Sequence, residues 1–424
     1  MAAEFKFVFV EMGQGDCCMV RCPDGQVIVV DCGSVENSLG DEDPFIRAQE
    51  LLRSTDWAGG QGNRIYALIL THPDNDHHNK VVELCWEKTW LVERTFAEPP
   101  SIKAGTNFPQ INIDKIFFSD AWDPAKMKAT KYTGKGPLGK YTGNMLELNV
   151  GSGYFDTSEI CEVTINAAGA SYTRWPKPTF KTAGTAMPLM NHRFPVHDGT
   201  TDGEQWKVSI IAGNVPKADK ADKATPDNAK SLITLFEIGG KSVLLTGDAT
   251  YSTEAFLRST HSALLAKVNL VQVPHHGSMH ASHKDTVAKF TALKHAVVSV
   301  SFMEHKHCHP QYAALENWLT AVKGGTGDVD HDIDYWTRDV EPKPPAYVNF
   351  FNAWTLAQKP STEKNAFRYL DQPEPGVFAY RYEFTTKEMT QFLYRKVIPD
   401  RLHMTSMGTQ VYTLSSAGVT RLVI

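Results

Sequence analysis

Several things are scarce in this chain, and each shortage removes a class of protein. Its 424 residues hold 7 cysteines, an odd number at irregular spacing, which is not a disulfide framework. No Cys-x-x-Cys pair occurs, which argues against a cysteine-rich metal site. Cys17, Cys18, Cys22 and Cys32 crowd the N-terminal strands and read as small buried residues of a reducing compartment. No apolar run is long enough to cross a bilayer, and the first strand starts too early to leave room for a secretory leader. The expectation is a cytoplasmic protein with no membrane part. Excess positive charge is missing as well. The 43 Lys and Arg face 48 Asp and Glu, a net charge of −5, so no global field attracts nucleic acid. That counts modestly against a tight DNA binder, although a local basic groove remains compatible with it.

What the chain does have is ligand-type residues at the ends of buried strands. The apolar run Ala67-Leu68-Ile69-Leu70 leads into Thr71-His72-Pro73-Asp74-Asn75-Asp76-His77-His78. Ser242-Val243-Leu244-Leu245-Thr246 leads into Gly247-Asp248, and Asn269-Leu270-Val271-Gln272-Val273 into Pro274-His275-His276-Gly277-Ser278. Each run is short, holds β-branched residues or is stopped by Gly or Pro, so strand is the better assignment than helix. Strand ends hold side chains rigidly, and the three ends deliver His and Asp, then Asp, then His. Imidazole with carboxylate suits zinc, manganese or iron. Surface turns are often rich in Asp and His, but three such clusters each closing a buried strand outweigh that reading.

In these motifs the chain resembles the metallo-β-lactamase superfamily, and more narrowly the hydrolase domain of ComEC-type DNA-uptake proteins. The N-terminal strand Phe5–Val10 leads to the turn Gly13-Gln14-Gly15-Asp16, and Val27–Val30 leads to Asp31-Cys32-Gly33. Further matches are Asn228-Ala229-Lys230-Ser231-Leu232, His275-His276-Gly277-Ser278 and His309-Pro310. The closing strands Gly408–Thr413 and Gly418–Leu422 complete the set in family order. The resemblance implies an α/β fold, an αββα sandwich. It implies one metal site using His72 and Asp74, and a second using Asp76, His77 and one of His275 or His276, with Asp248 bridging. The cofactor is then one or two divalent ions, zinc or manganese. Such ions lower the pKa of a coordinated water, and a pair of them clamps the attacking and leaving oxygens of a phosphodiester. Asp76 stands among both the ligands and the catalytic residues. Asp16 and Asp31 are expected to orient ligand histidines, or else to cap turns. His309 is a candidate proton donor to the leaving oxygen. Ser278 and His307 are candidates for substrate contact, and no base arrangement makes Ser278 a nucleophile.

One departure from the family matters. Enzymes with two full sites usually supply another histidine between the first motif and the bridging Asp. His192 and His197 fall in that interval but read as ordinary loop histidines. One site is therefore expected to be richer in carboxylate, which favours manganese there or a single bound ion.

The length admits two or three average domains, but the motifs at both ends argue for one domain, 1–424, with insertions over about residues 98–205 and 324–399. Lys126, Lys128, Lys131, Lys135 and Lys140 lie in the first insertion, with no acidic residue from Pro124 to Met145. A solvated loop is the plainer reading of them and a phosphate-contacting flap the sharper one. The functional expectation is a metal-dependent hydrolase that cleaves phosphodiesters, and in its narrower form a nuclease on DNA. Competing readings are a hydrolase of a small ester, lactone or cyclic nucleotide, and a non-catalytic metal-binding regulatory module. Oligomeric state is not readable from the sequence.

Overall fold

The computed structural model describes residues 3–35, 44–54, 64–86, 111–119, 155–175, 185–218, 222–301, 309–322 and 401–422. It also describes the single positions 138, 141, 146 and 150, and strand backbone within 330–399. His307 and the five lysines from Lys126 to Lys140 lie outside the described residues.

Two large sheets carry the fold. The first runs, edge to edge, through Thr185–Pro188, Gly169–Arg174, Glu159–Asn166, Lys115–Phe118, Ala67–Leu70, Val27–Val30, Cys18–Arg21, Glu4–Phe9, Gln410–Ser415 and Gly418–Leu422. Its middle is parallel, with Ile28 opposite Ala67 and Leu68 opposite Ile116. Central parallel strands are covered on both faces, which is why Val27–Val30 and Ala67–Leu70 are continuous apolar runs rather than alternating ones. The second sheet runs through Phe194–Thr201, Glu204–Ala212, Ile233–Ile238, Lys241–Leu245, Val268–Gln272, His295–Val298 and Leu402–Met404.

Alternation along the strands sorts the core into layers. Phe5, Phe7, Phe9, Ile28, Val30 and Ile69 point from the first sheet to the second, among Trp206, Phe236 and Val243. Phe236 meets Phe5 at 5.7 Å and Phe7 at 5.1 Å between ring centroids, edge to face in both pairs. The intervening Val8, Val29, Leu68 and Leu70 point the other way, toward Ala48 and Leu52 of helix Pro44–Arg53 and Val81 and Leu84 of helix Val81–Cys85. Phe256, Leu257, Leu315 and Trp318 bring helices Tyr251–Thr260 and Tyr312–Ala321 onto the second sheet. Helix, sheet, sheet, helix is the αββα sandwich of the metallo-β-lactamase fold. Among the described residues no helix is long and apolar enough to cross a membrane.

The segment 98–205 contributes to both sheets. Lys115–Phe118, Glu159–Asn166, Gly169–Arg174 and Thr185–Pro188 extend the first, and Phe194–Thr201 forms an edge of the second. Short apolar runs among Gly, Pro and Lys are weak strand signals, and sheet pairing supplies what local pattern lacks. Strands Asp330–Thr337, Tyr347–Val348, Phe367–Glu374, Val377–Thr385 and Thr390–Pro399 form a separate five-stranded sheet. The two ends of the chain meet: Glu4–Phe9 pairs antiparallel with Gln410–Ser415, Phe7 opposite Tyr412.

Candidate metal centre

The centre lies at the carboxyl ends of strands from both sheets. Ala67–Leu70 delivers His72, Lys241–Leu245 delivers Asp248, and the parallel neighbour Val268–Gln272 delivers His275 and His276. Their meeting depends on close backbone approach. A Cβ on Gly247, whose φ is +47°, would lie 2.7 Å from Thr71 Oγ1. A Cβ on Gly33 would lie 2.4 Å from both the His77 nitrogen and the Asp76 carbonyl carbon. Gly33→Ala must therefore push apart the segment Asp31-Cys32-Gly33 and the helix Asn75–His78. The expected cost is about 1–3 kcal/mol of stability, with metal affinity at least about tenfold weaker. Chemical unfolding and a metal titration measure the two effects, and unchanged values for both would contradict this packing.

Asp248 is the hub. Its Oδ1 is 3.2 Å from His77 Nε2 and 3.5 Å from His276 Nε2, and its Oδ2 is 3.7 Å from His72 Nε2 and 3.5 Å from His275 Nε2. Asp76 Oδ2 joins the first group, 3.3 Å from His276 Nε2, and Asp74 Oδ2 joins the second, 3.5 Å from His72 Nε2. The two oxygens of one carboxylate thus face two sets of ligand atoms. Both paired histidines take part, one in each set. Each adopts left-handed backbone, φ 53° at His275 and 52° at His276, a conformation that costs a non-glycine residue of order 1 kcal/mol. The turn accepts that strain and turns successive rings toward opposite oxygens of Asp248.

Hydrogen bonds behind the rings fix their tautomers. His77 donates from Nδ1 to Asp31 Oδ2 at 2.8 Å, and His276 from Nδ1 to the Ser299 carbonyl at 2.6 Å. Thr71 spends its hydroxyl proton on Asp31 Oδ2 at 2.6 Å, so its oxygen accepts from His72 Nδ1 at 3.1 Å. In its neutral form each of the three rings therefore turns an Nε2 lone pair inward. Those three Nε2 atoms and Asp248 Oδ1 are buried and have no hydrogen bond. Buried polar atoms without partners are costly, and a cation among them supplies the missing partner. Asp16, His77, Asp248 and His276 each place a ligand atom within 4.8 Å of the others. Asp16 thus stands inside the cluster, its Oδ2 3.5 Å from His77 Nδ1, while Asp31 stands behind it.

The electrostatics agree with a cation site. Burial alone would lower His276, but the carboxylates of Asp248 and Asp76 lift it to about 10. Burial would likewise lower His77, and Asp248 and Asp31 hold it well above its usual range. Burial would raise Asp248, yet His275, His276 and His77 keep it well below the ordinary carboxylate range. His275 is pushed down to about 4, mainly by burial, and so presents a neutral ring. Protons on His77 and His276 balance the buried carboxylates, and a divalent cation is the other species that does so.

The remaining candidates fall as follows. His309 is buried, with its ring 5.4 Å from that of His275 and 6.2 Å from that of His276, stacked on the latter. Ser278 shapes the turn: its backbone nitrogen donates to the His275 carbonyl, and its hydroxyl accepts from the His280 nitrogen at 3.3 Å. His192 packs near Phe256, and His197 binds Asp24 at 2.7 Å beside Trp206, so neither reaches the centre. Sequence reasoning passed over Asn228 as a motif letter. Its Nδ2 is 3.1 Å from Asp248 Oδ2 and 3.0 Å from His275 Nε2.

Behind the paired histidines, Glu254 fastens the following loop. Its carboxylate accepts from the backbone nitrogens of Ser282 and His283, the latter at 2.7 Å. Burial dominates and raises this acid from 4.5 to about 7 despite those donors. The fold therefore holds a proton that the unfolded chain releases. The associated stability is full below pH 4.5, falls as pH rises, and is gone above about pH 7, a change of about 3 kcal/mol. Urea unfolding at pH 4.5 and 8 should show that drop in the native protein and a smaller one in Glu254→Gln. Equal drops would refute the assignment.

No family model matches this chain, and no curated protein matches it. Among solved structures, the crystal structure of human tRNase Z, short form (ELAC1), is similar at 12% identity and a TM-score of 0.34, over 69% of this chain and 91% of that one. At that distance the layers and the ligand cluster, not the likeness, define the class: a metallo-β-lactamase-type fold with a buried His/Asp centre suited to divalent metal.

Proposed function

We propose that this chain is a metal-dependent hydrolase of phosphodiester bonds, acting on nucleic acid with DNA as the first substrate to test. The observation that carries the reading is Asp248, whose two oxygens face His77 and His276 on one side and His72 and His275 on the other. On this reading His72, Asp74 and His275 would hold one ion, Asp76, His77 and His276 would hold the other with support from Asp16, and Asp248 would serve both. Bound there, zinc or manganese supplies Lewis acidity at the phosphoryl oxygens and a nucleophile at neutral pH. The His77 side, with Asp76 and Asp16 beside the shared Asp248, is the richer in carboxylate and favours manganese. Asp31, Thr71 and Ser299 keep the ligand rings turned inward. His309, beside both paired histidines, donates the proton that the leaving oxygen needs. The nucleic-acid part of the proposal rests on the motif resemblance. The chain is read as one catalytic domain, with the five-stranded sheet of residues 330–399 as an insertion.

The test is cleavage of single- and double-stranded DNA, RNA and a small aryl phosphodiester with added manganese or zinc, beside a chelator control and an Asp76→Asn, His77→Ala double variant. Metal-dependent cleavage lost in the variant is the expected result. Folded, metal-bound protein that cleaves none of these would overturn the proposal and turn attention to small esters and lactones.

A further inference from the structure

We infer that Asn228 supplies the arm that the His72-side metal site otherwise lacks, through the carbonyl oxygen of its side chain. The inference rests on the metal-site reading above and adds a ligand to it.

Asn228 lies on the short helix Pro226–Ala229 and is 3% exposed. Three groups hold its segment against the centre. Thr225 caps the helix, accepting from the Asn228 nitrogen at 3.2 Å. The Asn228 carbonyl accepts from the Ser231 nitrogen at 3.1 Å, and Leu232 donates from its nitrogen to the Thr71 carbonyl at 2.9 Å. Ser231 Oγ in turn accepts from the Asp248 nitrogen at 3.2 Å and lies 3.3 Å from His72 Nδ1. The end of the Asn228 side chain is thus fixed between Asp248 Oδ2 and His275 Nε2, at 3.1 and 3.0 Å.

The amide nitrogen faces those two atoms, and its two protons occupy their lone pairs. A cation on that side needs the same lone pairs, so the N–H groups cannot stay where they are. A half-turn of the terminal amide puts Oδ1 in their place. The two ends of an amide have the same shape, and partners alone decide between them. The half-turn gives up the two bonds to Asp248 and His275, which a cation on that side displaces in any case, and keeps the one to Thr225. Thr225 Oγ1 now donates to Asn228 Oδ1; afterwards it accepts from Nδ2, because a hydroxyl both donates and accepts. The chemistry fits as well. Of the other protein groups on that side, Asp74 is the exposed one, with 41% of its side chain in solvent. A neutral, buried oxygen donor adds coordination without more buried charge, and oxygen donors suit manganese.

The test is a manganese titration of chelator-stripped protein, with bound metal counted per chain, on the wild type, Asn228→Ala and Asn228→Asp. Far-UV circular dichroism and melting in chelator serve as the fold control. The wild type should hold two ions. Asn228→Ala should keep one and bind the second at least tenfold more weakly. Asn228→Asp, which keeps an oxygen in place, should retain both. Two ions in Asn228→Ala with affinities within threefold of wild type would overturn the inference while leaving the hydrolase reading intact. Loss of an ion in Asn228→Asp would overturn it also, and that comparison stands even if the alanine variant does not fold. A wild type that binds no divalent ion would instead bring down the metal reading itself.

Discussion

Asp248→Asn should abolish metal-dependent hydrolysis, lowering kcat/KM by about 10³-fold or more, which is about 4 kcal/mol of transition-state stabilisation. The substitution changes one atom. It leaves an oxygen for one ligand set and places an N–H donor before the other, where His72 and His275 or His77 and His276 converge. An amide nitrogen carries no lone pair for a cation, so one set loses its shared arm and both lose the negative charge. Metal content should fall below that of wild type in the same preparation. Because Asp248 is 3% exposed and isosteric with its replacement, the folded structure should persist. Steady-state kinetics with manganese or zinc, beside metal analysis, decides the matter. More than a tenth of the wild-type rate would show that Asp248 is not the bridging group.

Removing the metal should destabilise the protein on a comparable scale. An ion that binds only the folded chain contributes about 4 kcal/mol when free metal exceeds its dissociation constant a thousandfold. Asp16, Asp31, Asp76, Asp248, His72, His77 and His276 meet in one centre, and all but Asp76 are buried. Stripping a cation from such a group leaves carboxylates to be neutralised by protons on His77 and His276. At about 2–4 °C per kcal/mol, chelator should lower Tm by about 10 °C in the wild type. The shift should be much smaller in Asp248→Asn. A wild-type melt indifferent to chelator and to added manganese would mean that no tightly held ion is part of the native state.

The ligands were legible because strand ends concentrate them. Ala67-Leu68-Ile69-Leu70 is unmistakable as a buried run, and His72, Asp74, Asp76 and His77 follow within seven positions. The paired histidines are a different case. That both face Asp248 depends on two consecutive left-handed residues, a conformation that no local pattern of side chains announces. Asn228 reaches the centre from a short helix twenty positions before Asp248, which only the folded chain reveals. Residues 281–293 hold one short helix, Lys284–Val287. The nitrogens of Ser282 and His283 are taken by Glu254, a partner on another helix. Lys115–Phe118 was hidden by its surroundings, being four residues long and recruited to its sheet by pairing with Ala67–Leu70.

The register that joins Val8 to Val411 also sets a timetable. During synthesis the first strand gains Cys18–Arg21 on one side almost at once, yet its other side stays open until the closing hairpin leaves the ribosome. At about 5–20 residues per second, that wait lasts tens of seconds. For that interval an apolar edge is available to any passing strand. A nascent chain stalled before residue 410 therefore carries its own template for mispairing.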